Sequence, residues 1–314
     1  MIAARLKQWN TAPDLEETPL PDQAPSGEVL VRMEAAAVTH LDLTLASGSF
    51  AYRPALPFTP GTAGVGRVVQ GADLVGRRVL VRGAGIGLER PGTWAEQVAV
   101  PLAGVRTVPE TVSAAVAATC YSPMTTGWAA VGPVGRIRPG DRVLVTGAAG
   151  GVGSLTVQLA ARAGAHVLAS VRTESAAAVV PGGADEILVG QGPGVLAAAG
   201  AQGGIDVLVD TVGGDTVPAF LAAMRPGGRA VLIGYVAGPT LSVDLPALLA
   251  RDVTLAPVNM VRRQVPDDVF RGLLDELGDG RLRLNTTTFP FTGLAEAVRA
   301  RTEGSVSGAL AVTM

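Results

Sequence analysis

Residues 143–160, VLVTGAAGGVGSLTVQLA, decide the fold. A buried strand runs into a turn made of Gly147, Ala148, Ala149, Gly150, Gly151, Val152 and Gly153. The chain then passes directly into an amphipathic helical run that stops at Gly164. Glycines permit the sharp turn and leave backbone amides bare. A diphosphate can then be held by N–H groups at the positive end of the following helix. The turn offers the amides around Ala149, Gly150, Gly151 and Val152 for that purpose.

Outward from the turn, strands and helices alternate. HVLASV (166–171), ADEILV (184–189), IDVLVDTV (205–212) and GRAVLIGYV (228–236) read as strands, and TVPAFLAAM (216–224) reads as a helix between the last two. Such a succession predicts a parallel sheet wound on both faces. It also strengthens a glycine pattern that is weak in isolation. The first third of the chain differs. EVLVRMEAAAV (28–38), AGVGRVV (63–69), GRRVLVRG (76–83) and WAEQVAV (94–100) are short strands bounded by Gly, Pro or Asp, which predicts a mainly β domain. Between the two regions, residues 111–131 are Ala-rich and helical in period, interrupted at Pro123. After Leu255 come two helical runs, 268–280 and 294–304, and a closing strand, GALAVTM. The simplest division has a domain completed by both chain ends, residues 1–120 and 256–314, with a nucleotide domain, 121–255, inserted between them.

Composition narrows the chemistry. With 314 residues, 48% hydrophobic and 17% charged, the chain suits compact domains and not a disordered tract. A formal net charge of -2 supplies no field for nucleic acid or anionic lipid, so neither partner is expected. Lys7 is the only lysine, which excludes lysine Schiff-base chemistry in the body of the chain. Cys120 stands alone, and His40 and His166 are too few for a histidine metal cage without carboxylates, so no metal is expected. The segment MIAARLKQWN lacks the apolar core of a secretory signal, and no apolar run is as long as a membrane span. A cytoplasmic protein is expected.

The end of the second strand of the alternating region indicates which dinucleotide is held. Sites for NAD place Asp or Glu there, against the ribose 2′-hydroxyl. Here the strand ends Leu168-Ala169-Ser170-Val171-Arg172-Thr173, with no acid before Glu174. A hydroxyl at Ser170 and a guanidinium at Arg172 suit a 2′-phosphate, which a carboxylate would repel. NADPH is therefore the expected cofactor. The bland alternative makes Arg172 a solvated surface arginine.

LPFTPGTAGVGRVV (56–69), PGTWAEQVAVP (91–101), the glycine turn with its flanks (138–164), DVLVDTVGG (206–214) and RPGGRAVLIGY (225–235) together resemble the medium-chain dehydrogenase/reductase superfamily. Within it, the chain resembles the zinc-independent, quinone oxidoreductase-like and enoyl reductase branch. The resemblance covers essentially the whole chain. It implies an α/β protein: a β-rich GroES-like catalytic domain plus a doubly wound parallel Rossmann domain, with the active site in the cleft between them. It also implies a homodimer joined sheet edge to sheet edge, for which Gly228–Val236 is the candidate edge. Thr125 matches the family threonine that contacts the nicotinamide. Thr211, Gly234, Tyr235 and Asn259 fall where the family lines the cofactor.

The chain departs from the family pattern at several points. Thr39 stands where zinc enzymes carry Cys and many zinc-free reductases carry Asn. Thr44 replaces a frequent Tyr, Ala63 replaces a Glu, and Ala176 replaces a phosphate-binding Lys, leaving Arg172 as its substitute. The candidate proton donors are Tyr121, Thr44 and His40. For Tyr121 packing alone is the competing role, and for His40 a structural one, since strand alternation would turn it away from Thr39. Thr39, Phe50 and Tyr52 are candidates for the substrate pocket. Phe50, Tyr52 and Phe58 read equally as a wall for a flat ligand or as core. The expected activity is reduction of an α,β-unsaturated carbonyl or quinone. A carbonyl reductase or alcohol dehydrogenase, and a low-turnover dinucleotide sensor, are the alternatives.

Overall fold

The computed structural model describes residues 1–20, 24–50, 52–190 and 203–314. It divides into two compact units. The first comprises Met1–Tyr121, Leu274–Arg281 and Asn285–Met314, and the second comprises Ser122–Leu273 with Leu282–Leu284.

The first unit opens with an antiparallel hairpin, β1 (Ile2–Arg5) and β2 (Asp14–Glu17). Lys7, in its connection, pairs with Asp14 and Glu16. The main sheet is built on the long strand β3 (Glu28–Ala37), with β4 (Ala63–Gln70), β5 (Arg78–Arg82), β6 (Gln97–Pro101) and β7 (Val105–Thr107). Antiparallel partners β4 and β6 flank β3, and β5 and β7 extend the sheet from β4. Alternation along β3 sends Val29, Val31 and Met33 into one core with Val68, Val79, Val81, Val98 and Val100. Trp94 precedes β6 and is fully buried, donating its indole N–H to Ala37 O at 2.8 Å. The expected strand at 94–100 thus starts at Gln97.

Three helices follow in the chain: α1 (His40–Ala46) and α2 (Ala114–Thr119) in the first unit, and α3 (Tyr121–Ala129), whose first residue ends that unit. The helical stretch 111–131 breaks at Cys120 and not at the expected Pro123. Pro123 is the third residue of α3, where the N–H has no intrahelical acceptor, so the ring is tolerated.

The second unit is a six-stranded parallel sheet: β8 (Arg142–Thr146), β9 (His166–Val171), β10 (Glu186–Val189), β11 (Ile205–Asp210), β12 (Met224–Leu232) and β13 (Thr254–Pro257). Its order is β10-β9-β8-β11-β12-β13, so the chain reverses direction across the sheet between β8 and β11. Both faces are covered. Val143 and Val145 pack with Val157 and Ala160 of α4 (Gly151–Arg162), while Leu144 packs with Val217, Phe220 and Leu221 of the helix Val217–Ala222. β14 (Thr286–Pro290) and β15 (Ala309–Thr313) then complete the first unit, β15 pairing antiparallel with β3. The protein is α/β, a mixed β unit plus a doubly wound parallel sheet. Among the described residues no helix is long and apolar enough to cross a membrane.

Two expectations are corrected. Gly228–Val236 is not a sheet edge, because β13 pairs with β12 from Arg229↔Thr254 to Leu232↔Pro257 and becomes the edge itself. The same short strand carries the second unit past residue 255, and the chain leaves that unit only at Leu274. At the other boundary Tyr121 belongs to the first unit. A four-residue strand, TLAP, that ends in proline gives almost no periodic signal.

Candidate functional site

On the second unit, the candidate rim lies at the carboxyl ends of β8, β9, β11 and β12, around the point where strand order reverses. Ligands of open α/β sheets bind at such a point. Gly150 stands ahead of α4 in extended backbone (φ -78°, ψ 170°), and no side chain caps the helix. The amides of Gly151, Val152 and Gly153 have no acceptor within the helix, whose first turn carries no acidic residue. An anion meets bare N–H groups and the positive end of twelve aligned residues. The turn is closed by Gly150 N–H donating to Gly147 O at 2.8 Å. It is tied to β9 by Ala148 N–H donating to Ser170 O at 3.1 Å.

Crowding dictates glycine at Gly147, Gly153 and Gly234 on this rim. A Cβ on Gly147, which has φ +61°, would meet Thr211 Oγ1 at 2.5 Å. On Gly153 it would meet Gly147 O at 2.2 Å, and on Gly234 it would meet Thr211 O at 1.9 Å. Thr146 and Asp210 bind the two opposing turns together. Thr146 Oγ1 donates to Asp210 Oδ1 at 2.7 Å, Thr211 N–H donates to Thr146 Oγ1 at 3.0 Å, and Thr211 Oγ1 donates to Thr146 O at 2.7 Å. Asp210 also accepts from Gly213 N–H at 2.8 Å, and burial raises its carboxyl above the ordinary range. The Thr211 hydroxyl is therefore already engaged, and its work in the structure is to hold the turn.

The remaining rim candidates occupy different environments. Ser170 is buried at the end of β9, and Arg172 is exposed just beyond it. Thr173 follows, accepting from Ala176 N–H at 3.2 Å and capping a short helix. Tyr235 is 62% exposed after β12, and Asn259 is exposed, its carbonyl accepting from Arg262 N–H at 3.2 Å. Thr125 is buried inside α3.

On the first unit, the segment after β3 is a capped helix and not a continued strand, which removes the alternation argument applied to His40. Thr39 is the N-cap of α1, and a capping box joins it to Asp42. Asp42 Oδ2 accepts from Thr39 N–H at 2.8 Å and from Thr39 Oγ1 at 2.6 Å, while Oδ1 accepts from Thr62 N–H at 2.9 Å. The carboxyl is fully buried, and burial outweighs these donors to raise its pKa. His40 is the first residue of α1, exposed, with its pKa lowered by partial burial and by the nearby Arg301. Thr44 Oγ1 donates to His40 O at 2.9 Å along the helix.

The three aromatic residues do not share one setting. Phe50 is half-buried, Tyr52 is 44% exposed, and Phe58 lies in the core, where its backbone exchanges hydrogen bonds with Leu6 at 2.7 and 3.0 Å. Tyr121 begins α3, half-buried, with the Arg82 guanidinium 4.9 Å from its ring centre. Cys120 is buried, donating to Ala117 O, and burial pushes its thiol up to about 12. His166 meets Glu186 at 3.2 Å on the second unit.

Sequence reasoning missed Asp42, Arg82 and Asp210. Thr39 and Asp42 have the spacing of a capping box, which marks a helix start and was legible. Arg82 interrupts the apolar run VLVR at a strand end, a faint signal.

Residues 25–110 match the family model described as alcohol dehydrogenase GroES-like domain, and residues 151–278 match that described as zinc-binding dehydrogenase. The chain belongs to the medium-chain dehydrogenase/reductase superfamily and is an oxidoreductase of that class. It is similar to quinone oxidoreductase-like protein 2 of Rattus norvegicus, 30% identical over 277 residues, covering 85% of this chain and 76% of that protein. It is also similar to prostaglandin reductase-3 of Bos taurus, at 29% identity, covering 82% of this chain and 70% of that one. Among solved structures, the crystal structure of an NAD-dependent alcohol dehydrogenase superposes with a TM-score of 0.88 at 25% identity, covering 100% of both chains.

The buried carboxyl of Asp42 gives stability a definite pH dependence. Its folded pKa lies above the ordinary 3.8, so as pH falls the native state takes up this proton before the unfolded state does. Stability from this group therefore rises as pH falls through that window and is lost as pH rises through it. Denaturant midpoints of the wild type and Asp42→Asn, compared between pH 7 and about pH 4.5, should shift in favour of the wild type on acidification. A constant difference would show that the carboxyl is not raised.

Proposed function

We propose that the protein is an NADPH-dependent reductase of α,β-unsaturated carbonyls or quinones that works without zinc. The observation that carries this reading is the rim of the second unit. A bare-amide glycine turn and Arg172 flank a strand end with no carboxylate. The amides of Gly151, Val152 and Gly153 would hold the diphosphate, and Arg172 the ribose 2′-phosphate. Glycine at 234 leaves backbone-only bulk where the family lines the nicotinamide. Bound NADPH supplies two electrons and a hydrogen to a conjugated acceptor.

The protein's own part is to fix the acceptor and to deliver a proton. Of the three candidate donors, Tyr121 is the best supported. The Thr44 hydroxyl is directed into its own helix, and His40, exposed and shifted down, is largely neutral at neutral pH. The donor set does not suit zinc. Thr39 gives its hydroxyl to Asp42, and among the described residues no group of three or more His, Cys, Asp or Glu could hold a metal ion.

The second copy in the expected homodimer would add to β13, the open edge of the parallel sheet. Leu245 and Leu249, 57% and 70% exposed, lie on the helix Leu245–Arg251 that packs on β12. Light scattering on the purified protein should give twice the chain mass, and a monomer at micromolar concentration would remove the dimer from this reading.

Steady-state oxidation of NADPH with 2-alkenals, cyclic enones and quinones tests the activity. Turnover of at least one class is expected. Oxidation of simple alcohols alone would support an alcohol dehydrogenase, and tight NADPH binding without turnover would support a sensor. Arg172→Ala should weaken NADPH binding by about 10- to 100-fold, the worth of a charge-assisted contact, and leave NADH binding unchanged. Equal affinities in calorimetry before and after the change would remove Arg172 from the phosphate site.

A further inference from the structure

Arg82 closes β5 opposite Ala63 of β4, one residue beyond Thr62. Partly buried arginines elsewhere in this unit are satisfied by acceptors. Arg78 donates to Glu34, Pro109 O and Val112 O, and Arg301 donates to Val38 O and Gly308 O. Arg82 makes no hydrogen bond and no ion pair among the described residues. Its contact is the face of the Tyr121 ring. Burial disfavours its charged form, and the carboxylate it senses, Asp42, already accepts three hydrogen bonds. Next to Ala63, the cross-strand partner of Arg82, Thr62 Oγ1 is the buried side-chain oxygen without a partner among the described residues.

A guanidinium presents five N–H donors in a planar fork, and leaving them desolvated and unmatched is costly. A position over an aromatic ring attracts the cation but satisfies none of its donors. That combination, a fixed cation with open donors, suits a planar oxyanion bonded to carbon. Arginine keeps its charge at any working pH, so the site would grip the anion throughout.

We propose that Arg82, its guanidinium over the Tyr121 ring, is an oxyanion-binding residue for the acceptor. The oxyanion is either a carboxylate that the acceptor carries or the charge that gathers on its carbonyl oxygen during reduction. The second source rests on the reductase reading above, and the first does not. Arg82 acts by direct contact with that oxygen, while Tyr121 positions it from below.

The test uses two probes on the full-length protein without added cofactor: benzoate for a standing carboxylate and 4-nitrophenol for an oxygen that gains charge. Calorimetry measures benzoate binding, and the visible band of 4-nitrophenolate reports any stabilisation of its ionised form. Wild type should bind at least one probe, with an affinity at least about tenfold above that of Arg82→Met. Arg82→Lys should recover part of the difference. Benzoate binding assigns a carboxylate-bearing acceptor, and a nitrophenolate response alone assigns developing charge. Far-ultraviolet circular dichroism checks folding, and should Arg82→Met not fold, Arg82→Gln takes its place. If neither probe binds wild type, or affinities in the folded variant stay within twofold, the inference is overturned. NADPH affinity measured on the same samples keeps the two readings apart. Loss of NADPH binding with Arg82-dependent anion binding would remove only the reductase reading, and the converse would remove only this one.

Discussion

The turn after β8 folds on itself and against the turn after β11 so closely that Gly147 and Gly153 have no space for a Cβ, and neither has Gly234 after β12. Gly147 and Gly153 let the first turn fold tightly into α4, and Gly234 lets the chain after β12 pass against Thr211 O. The contact is held by hydrogen bonds among Thr146, Asp210 and Thr211, largely shielded from water, where each is worth more than at the surface. The bare amide end of α4 depends on this contact. If the turns parted, the amides of Gly151–Gly153 would no longer be aimed at one rim. Substitution at any of the three glycines would act through geometry, since none carries a side chain to lose.

Both units solve the same problem with the same device, a buried carboxylate that joins loops by accepting backbone amides. Asp210 gathers Gly213 N–H and the Thr146 hydroxyl, and Asp42 gathers Thr39 and Thr62. In each case desolvation is the larger effect and raises the carboxyl pKa in spite of the donors. Burying a charge in this way is costly, and removing one partner would leave the others unmatched. The gain is a loop position fixed by several bonds to one atom group, which is what a site for a reacting molecule needs.

Much of this was legible in the sequence because the physics of parallel sheets is local. β8, β9 and β11 are apolar runs that must be covered on both faces, and the glycine turn can sit only between a strand and a helix. β13 was illegible. Four residues that end in proline carry no period, and so the sheet edge and the end of the second unit were misplaced by one strand. Pro123 misled for a related reason. Its effect on a helix depends on distance from the helix start, and α3 starts only two residues before it, at Tyr121. On the first unit, Thr39 and Asp42 announced a helix cap, whereas reading 38–48 against a family pattern led to side-chain identities before backbone shape. Arg82 could not be found this way, because its significance lies in the acceptors it does not have, and that is a property of three dimensions.

The hairpin β1–β2 has a practical consequence. Lys7, the only lysine of 314 residues, sits in its connection with its side chain 52% exposed. Acylating reagents that seek amines would therefore graft a dye, a biotin or a solid support at Lys7 or at the Met1 α-amine, both on the first unit. The parallel sheet and its rim, which hold no lysine, would be left chemically unmarked.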